Sequence, residues 1–253
     1  MSPKIKISVR NLSKTFDTKV VLSRINLDIE EGKSLAILGG SGSGKSVLLK
    51  CIVGILNPDQ NSKIMIENEN VATAHIKDRT KWMTKFGMLF QGNALFDSLP
   101  IWHNICFQKL YYKTITAKFA KDLATHKLEM VGLSSNLLDL YPAQISGGMQ
   151  KRVGLARAIA NDPEVIFFDE PTAGLDPLNA KIISELIKKL SQELKATTVT
   201  ITHDMMCMEM IADKIAMINA GNIIWQGTSE AIVSSGNSYV DSFVKAARGY
   251  KSQ

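Results

Sequence analysis

The sequence predicts an α/β fold with a mainly parallel β-sheet, and three observations lead to this prediction. Residues 35–38 and 165–168 are short continuous apolar runs, typical of strands that are buried on both faces. Residues 197–201 form a further strand-like run, and residues 182–190 before them are apolar at helical spacing. Strands that alternate with helices in this way form a parallel sheet covered by helices on both faces.

Two further segments add to this core. Residues 5–9 and 25–29 alternate apolar and polar side chains, which predicts an antiparallel β part at the N-terminus. Strand-like runs disappear over residues 96–160, where residues 117–131 predict an amphipathic helix. Residues 219–222 indicate a hairpin turn before residues 223–225.

We therefore predict one domain over residues 1–253. Its core comprises residues 1–91 and 161–253, and residues 92–160 form an inserted helical subdomain. Residues 240–247 predict a short helix that packs either on its own chain or on a neighbouring one, within a C-terminal segment 239–253 that carries no motif.

Composition argues against several classes of protein. The net charge of +6 is spread along the chain without a long run of like charges, so we expect no nucleic-acid partner. Cys51, Cys106 and Cys207 lack the spacing of metal ligands and are expected to be reduced and mostly buried. We expect no signal peptide, and no stretch of about 18 apolar residues predicts a membrane span.

A glycine-rich loop follows the strand of residues 35–38 and fits the P-loop pattern. Glycines let the backbone wrap closely around a triphosphate, and the N-terminus of the following helix favours an anion. Lys45 is expected to reach the β- and γ-phosphates, and Ser46 to bind Mg²⁺. The sequence thus predicts a P-loop NTPase core, with a nucleotide site formed by Gly39, Gly40, Ser41, Gly42, Ser43, Gly44, Lys45 and Ser46.

Two acidic residues follow the buried run of residues 165–168. Asp169 suits the binding of Mg²⁺, and Glu170 is placed to polarise the attacking water. An apolar run that ends in two acids is by itself a common strand end. With the P-loop upstream, it indicates a hydrolytic nucleotide site at the carboxyl end of the sheet.

Residues 145–150, of sequence ISGGMQ, are followed by a basic helix, and here the chain resembles the ATPases of ABC (ATP-binding cassette) transporters. The resemblance implies that Ser146, Gly147 and Gly148 clasp the γ-phosphate of ATP bound by the opposite subunit. Ile145 and Met149 replace the leucine and glutamine of the commonest signature, while the serine and both glycines remain.

The resemblance covers nearly the whole chain and implies four further roles. Gln91 matches the glutamine that senses Mg²⁺ and faces the permease, and Asp176 lies in the loop that crosses between subunits. His203 matches the histidine that contacts the γ-phosphate, against the alternative of a structural histidine. Phe16 either stacks on adenine, as in the family, or is a core aromatic.

The family resemblance also implies partners. It implies a homodimer formed through ATP, which drives integral-membrane permease subunits from the cytoplasmic face of a bacterial inner membrane. Residues 39–40, 87–91, 94–98 and 146–152 look most like the Mla-type (maintenance of lipid asymmetry) group, which is linked to phospholipid transport and solvent tolerance. That group implies a periplasmic lipid-binding subunit and a small cytoplasmic regulator.

Two alternatives stay open at this point. The chain could power an importer of amino acids or another small solute. It could also be a soluble ABC-type ATPase of DNA repair or translation, although such proteins usually carry two cassettes or a long coiled-coil insertion.

Overall fold

The protein is described here by a computed structural model, which covers residues 3–72, 74 and 76–249, without the side chains of residues 76–78 and 80. Residues 250–253 of the predicted C-terminal segment therefore lie outside the described residues. The described strands are β1 (Ile5–Phe16), β2 (Lys19–Glu30), β3 (Ser34–Leu38), β4 (Lys63–Ile66), β5 (Glu69–Asn70), β6 (Phe86–Leu89), β7 (Val165–Asp169), β8 (Thr197–Thr202), β9 (Lys214–Asn219) and β10 (Asn222–Thr228). The described α-helices are α1 (Lys45–Val53), α2 (Ile76–Met83), α3 (Ile101–Tyr111), α4 (Ala117–Met130), α5 (Gly147–Ala158), α6 (Pro177–Leu194), α7 (Met205–Ile211) and α8 (Ser238–Gly249).

The first of two compact units comprises the described residues of Met1–Met83 and Thr197–Gln253. It contains an antiparallel sheet in the order β2-β1-β4-β5. It also contains four neighbouring strands in the order β10-β9-β3-β8, in which β3 pairs in parallel with both β8 and β9. Strand β10 closes this row as an antiparallel hairpin with β9, as the turn residues predicted.

Apolar side chains on these strands form the core of the first unit. Strand β8 is buried at every position, which is the pattern of a strand covered on both faces. Val240 and Val244 of α8 belong to the same buried cluster as Leu38, Ile215 and Met208. Helix α8 therefore packs on its own chain, which decides between the two alternatives for the predicted C-terminal helix.

The second unit, Thr84–Ala196, carries two parallel strands and four of the described α-helices, α3 to α6, which include the two longest, α4 and α6. Strand β7 pairs with β6, and all five of its residues are buried. Helix α4 begins where the Thr116 hydroxyl accepts a hydrogen bond from the Phe119 amide, and it ends at Met130, close to the predicted end. Helix α6 extends the predicted segment 182–190 at both ends.

The parallel pairings and the N-terminal antiparallel sheet confirm the predicted α/β fold class. The pattern of the sequence did not identify six of the described strands and α-helices, namely β4, β5, β6, α2, α3 and α7. The second unit contains residues 92–160 together with β6, β7 and α6. The predicted boundaries of the helical subdomain, at 91/92 and 160/161, stay a prediction.

The three cysteines are free and buried, as the sequence predicted. Burial raises the pKa of Cys51 and of Cys106 to about 11 in each case. Because the thiolate is the reactive form, these two side chains are chemically inert at neutral pH.

Gly87 allows β6 to lie directly against the end of α5. A Cβ atom at this position would stand 2.1 Å from the carbonyl oxygen of Ala158, closer than any real contact of such atoms. Since that oxygen belongs to the backbone, it cannot move aside as the end of a flexible side chain could.

We expect Gly87→Ala to lower the free energy of unfolding by about 1–3 kcal/mol, the usual cost of overpacking. Gly92→Ala is the matched control, because a Cβ atom there meets nothing within 4 Å of the described structure. Chemical denaturation with guanidinium measures both variants. Equal stability of the two variants would contradict the close contact at Gly87.

Candidate functional site

The predicted P-loop connects β3 to α1 in the first unit. Strand β3 is buried up to Leu38, and helix α1 begins at Lys45. Gly44, immediately before the helix, has a φ of 106°, a conformation that L side chains rarely adopt. The loop therefore has the backbone geometry that only glycine supplies without strain.

The side chain of Lys45 is folded into this loop. Its ammonium group donates hydrogen bonds to the carbonyl oxygens of Gly39 at 2.8 Å and Gly40 at 3.0 Å. Among the described residues, the Ser43 hydroxyl is buried without a hydrogen-bond partner. A buried polar group normally has a partner, so this hydroxyl indicates a ligand.

A cavity of about 470 Å³ lies beside the loop, lined by residues 19–21, 42–47 and 220–221. It combines the N-terminus of α1 with the cation of Lys45 and the hydroxyls of Ser43 and Ser46. Helix N-termini and cations attract anions, and hydroxyls can donate hydrogen bonds to them. The residues present fit a bound phosphate chain.

The strand register brings His203 to the same edge as the P-loop. Strands β3 and β8 are parallel, and Leu38 pairs with Thr202 at their carboxyl ends. The next residues along each chain segment are Gly39 and His203, and the His203 side chain is exposed. Asp204 then caps helix α7 by accepting hydrogen bonds from the amides of Met206 and Cys207.

Phe16 ends strand β1 and is 41% exposed, so the alternative of a core aromatic is wrong. The ammonium group of Lys14 lies 5.1 Å from the centre of its ring. An exposed ring of this kind is available for stacking. The contact with adenine stays a prediction.

In the second unit, the strand register places Gln91 near the acidic pair, Asp169 and Glu170. Strands β6 and β7 are parallel, and Leu89 pairs with Phe168. Asp169 and Glu170 directly follow Phe168 and are buried, whereas Gln91 lies two residues beyond Leu89 and is exposed. Glu170 has a φ of 47°, and such backbone strain in a bulky residue is concentrated at functional sites.

A buried lysine lies close to this edge of the second unit. Lys151 of α5 is 3% exposed, and its ammonium group donates to the carbonyl oxygen of Gln91 at 2.9 Å. Burial lowers the pKa of Lys151, while the charge of Asp169 acts in the opposite direction. The sequence identified Lys151 only as part of a basic helix, because periodicity does not reveal which lysine turns inward.

The signature residues form the start of α5. Ser146 is exposed and caps the helix, since its hydroxyl accepts a hydrogen bond from the Met149 amide at 3.3 Å. A Cβ atom on Gly147 would meet nothing within 4 Å in the described structure. Packing within this chain therefore does not explain a glycine at 147, which lies exposed at the start of the helix.

Asp176 caps helix α6 from an exposed position. Its carboxylate accepts hydrogen bonds from the amides of Leu178 at 3.1 Å and Asn179 at 3.0 Å. Hydrogen bonds from Asn179 hold the pKa of Asp176 below its ordinary value, so the carboxylate is ionised at neutral pH. The structure gives Asp176 a local role, and its contact with a second subunit stays a prediction.

Two groups of predicted site residues are thus adjacent within their own units. The P-loop and His203 share one strand edge, and Gln91, Asp169 and Glu170 share another. Within the described residues, no three His, Cys, Asp or Glu side chains form a set that could hold a metal ion.

Comparison with known proteins identifies the family of this chain. The family model described as ABC transporter matches residues 22–173, which include the P-loop, Gln91, the signature and the acidic pair. The chain belongs to the ABC transporter family. It is the ATP-hydrolysing subunit of an ABC transporter, as the resemblance implied.

Curated relatives of this ABC ATPase come from several bacteria. The chain is 36% identical to an intermembrane phospholipid transport system ATP-binding protein, MlaF, of Haemophilus influenzae, over 94% of this chain and 90% of that protein. It is 34% identical to a probable ribonucleotide transport ATP-binding protein, mkl, of Mycobacterium leprae, over 96% of this chain and 70% of that one.

A solved structure has the same fold. It is a dimeric ATP-binding cassette in a post-hydrolysis state, bound to ADP and Pi, with a TM-score of 0.81 and 30% identity. The match covers 88% of this ABC ATPase and 98% of that chain. In the part of this chain that the structure describes, no helix is both long and apolar enough to span a membrane.

Proposed function

We propose that this ABC ATPase powers a phospholipid transporter at the inner membrane of a bacterium. The observation that carries the cargo class is the match to the Haemophilus relative named for intermembrane phospholipid transport, which extends over nearly all of both chains. The motifs at residues 87–91 and 146–152 support the same Mla-type group.

The nucleotide in this proposal is MgATP. Backbone amides of residues 39–44 and the Lys45 ammonium group bind the phosphates, and the Ser43 hydroxyl gains the partner that it lacks. Ser46, Asp169 and Gln91 would hold Mg²⁺, which neutralises charge on the β- and γ-phosphates when bound. Phe16 stacks on the adenine base.

Hydrolysis in this proposal depends on three side chains. Glu170 orients a water and accepts its proton as the water oxygen bonds to the γ-phosphorus and the bond to the β-phosphate oxygen breaks. His203 donates a hydrogen bond to the γ-phosphate and stabilises its developing charge. Gln91 reports the state of the site to the permease.

The ATPase acts as a homodimer with two composite sites. Each site takes the P-loop of one subunit and the signature residues Ser146, Gly147 and Gly148 of the other, with Asp176 near the subunit boundary. The open surroundings of Gly147 support this arrangement, since a phosphate of a second subunit could approach its amide closely. The dimeric cassette of similar fold supports it as well.

Its partners are integral-membrane permease subunits, and the ATPase is peripheral on the cytoplasmic face of the inner membrane. A periplasmic lipid-binding subunit and a small cytoplasmic regulator complete the proposed assembly. The name of the mycobacterial relative favours a second candidate, a transporter of small solutes such as ribonucleotides.

Glu170→Gln should lower ATP turnover by about 100-fold or more, since general-base catalysis contributes that much, while ATP binding is retained. Lys45→Ala is the contrasting variant, in which binding should weaken by about tenfold or more because a charge-assisted contact is lost. Phosphate release and equilibrium binding of a fluorescent ATP analogue measure the two effects. Wild-type turnover in Glu170→Gln would exclude Glu170 as the base.

Ser146→Arg should abolish cooperative ATPase activity, because a bulky cation would obstruct the composite site. Ser134→Arg is the matched control, since Ser134 is also an exposed serine that caps a short helix in the same unit. Both variants should be folded monomers without nucleotide, as circular dichroism and light scattering measure. Full activity of Ser146→Arg would contradict the head-to-tail dimer.

Affinity purification of the ATPase from native membranes, with identification of the proteins and lipids recovered, tests the cargo class. We expect a multi-spanning permease together with phospholipid. Recovery of a solute permease without lipid would support the second candidate instead. Recovery of no membrane protein would contradict transport and favour a soluble ATPase.

A further inference from the structure

We propose that Lys151 and Arg157 are positioning residues for the reaction, which hold the backbone of the Gln91 segment (residues 91–94) against helix α5. This inference rests on the proposed function, in which Gln91 senses Mg²⁺. It assigns roles to a buried lysine and a half-buried arginine that the proposed mechanism does not use.

Helix α5 contacts the Gln91 segment through Lys151, Gly154 and Arg157. The ammonium group of Lys151 donates to the carbonyl oxygen of Gln91 at 2.9 Å. Six residues further along, the Arg157 guanidinium donates to the carbonyl oxygens of Asn93 at 2.5 Å and Ala94 at 2.7 Å. Gly154 lies three residues from both Lys151 and Arg157, which therefore flank it on the helix surface.

Gly154 lies between the two cations and brings the helix close to the segment. A Cβ atom there would stand 2.7 Å from the Leu89 side chain and 3.9 Å from the Asn93 carbonyl oxygen. The helix axis can approach β6 and the Gln91 segment because position 154 has no side chain. Helix α5 and the Gln91 segment are therefore in direct contact, so a shift of α5 would displace the segment.

The segment has a backbone that needs such support. Asn93 and Ala94 have φ values of 59° and 50°, in the left-handed region that is unfavourable for alanine. Conformations of this kind persist where the surroundings hold them. The surroundings here are donors to the carbonyl oxygens of Gln91, Asn93 and Ala94, which restrain the backbone and leave the Gln91 side chain exposed.

Removing the two cations from water, fully for Lys151 and in part for Arg157, has an energetic cost, and this indicates that they do more than fill space. Lys151 is 3% exposed, and burial lowers the pKa of both Lys151 and Arg157. Their hydrogen-bond partners in the segment are backbone oxygens rather than carboxylates. Apolar side chains could fill the same volume, but they could not fix the positions of three carbonyl groups.

The residues that follow the Gln91 segment are anchored separately. Asn104 of α3 is fully buried, and its side chain accepts a hydrogen bond from the Phe96 amide at 2.7 Å. It also donates to the carbonyl oxygens of Phe96 at 3.1 Å and Leu99 at 2.8 Å. Residues 91–99 are therefore restrained at both ends, and a movement of α5 should be transmitted to Gln91.

Lys151→Met should lower kcat by about tenfold or more, as expected for the loss of a hydrogen bond to a charged group. The Mg²⁺ concentration for half-maximal turnover should rise, while the dissociation constant for ATP stays within about twofold of wild type, because the P-loop is unchanged. Arg152→Met is the matched control on the same helix. Its guanidinium contacts Gly132, away from the Gln91 segment, so its kcat should equal that of wild type.

A double-mutant cycle separates positioning from a general loss of structure. If Lys151 acts through Gln91, adding Lys151→Met to Gln91→Ala should change kcat by less than about twofold. Independent, multiplicative losses would overturn the proposal. So would wild-type kcat in Lys151→Met. If Lys151→Met does not fold, Lys151→Gln, which keeps a shorter donor, is measured in the same cycle.

The Gln91→Ala and Lys151→Met variants together distinguish the role of Gln91 from the positioning role of Lys151. Wild-type kcat and Mg²⁺ dependence in Gln91→Ala would contradict the role of Gln91 in the proposed function. A strong effect of Gln91→Ala together with no effect of Lys151→Met would leave that function intact and overturn only the positioning role.

Discussion

The register of the parallel strands is the constraint on which the candidate site depends. Leu38 pairs with Thr202 in one unit, and Leu89 pairs with Phe168 in the other. Strands that are buried on both faces accept only apolar residues or hydrogen-bonded polar ones, so reactive side chains are confined to the residues that follow the strand ends. A shift of one residue in either pairing would displace the residues that follow one strand by about 3.3 Å relative to those that follow its neighbour. The chemistry is therefore specified by apolar residues that never contact a nucleotide.

Much of the fold could be predicted because its strands and helices have clear periods. The buried runs at β3, β7 and β8 and the amphipathic segment at α4 were predicted to within one residue at each end, whereas the segment predicted at α6 covers only the middle half of that helix. Strands β4 and β5 have only four and two residues, fewer than β3, β7 and β8. Helices α2 and α7, at eight and seven residues, are shorter than the window of about 11 residues over which a helical period becomes evident. Strand β6 was not predicted, because its residues belong to the motif that ends in Gln91.

The candidate site was predicted from motifs, and the structure supplies what motifs lack. Composition and spacing identified Lys45 and Ser43, yet only coordinates show an ammonium group folded onto loop carbonyls and a hydroxyl without a partner. Likewise, a basic helix after the signature was evident, but the inward direction of Lys151 depends on tertiary packing. The exposure of the Phe16 side chain also excludes the alternative that Phe16 is a core aromatic.

The burial of the native thiols has a practical consequence for studying motion in this ATPase. Cys51 and Cys106 are held in their unreactive protonated form, and Cys207 is 1% exposed. A single cysteine introduced on the surface would thus react with a maleimide much faster than the native ones. Fluorescent or spin labels could be attached to chosen loops of the otherwise natural chain. Distances between such labels would show whether these loops move during the ATP cycle, without first replacing the thiols that fill the core.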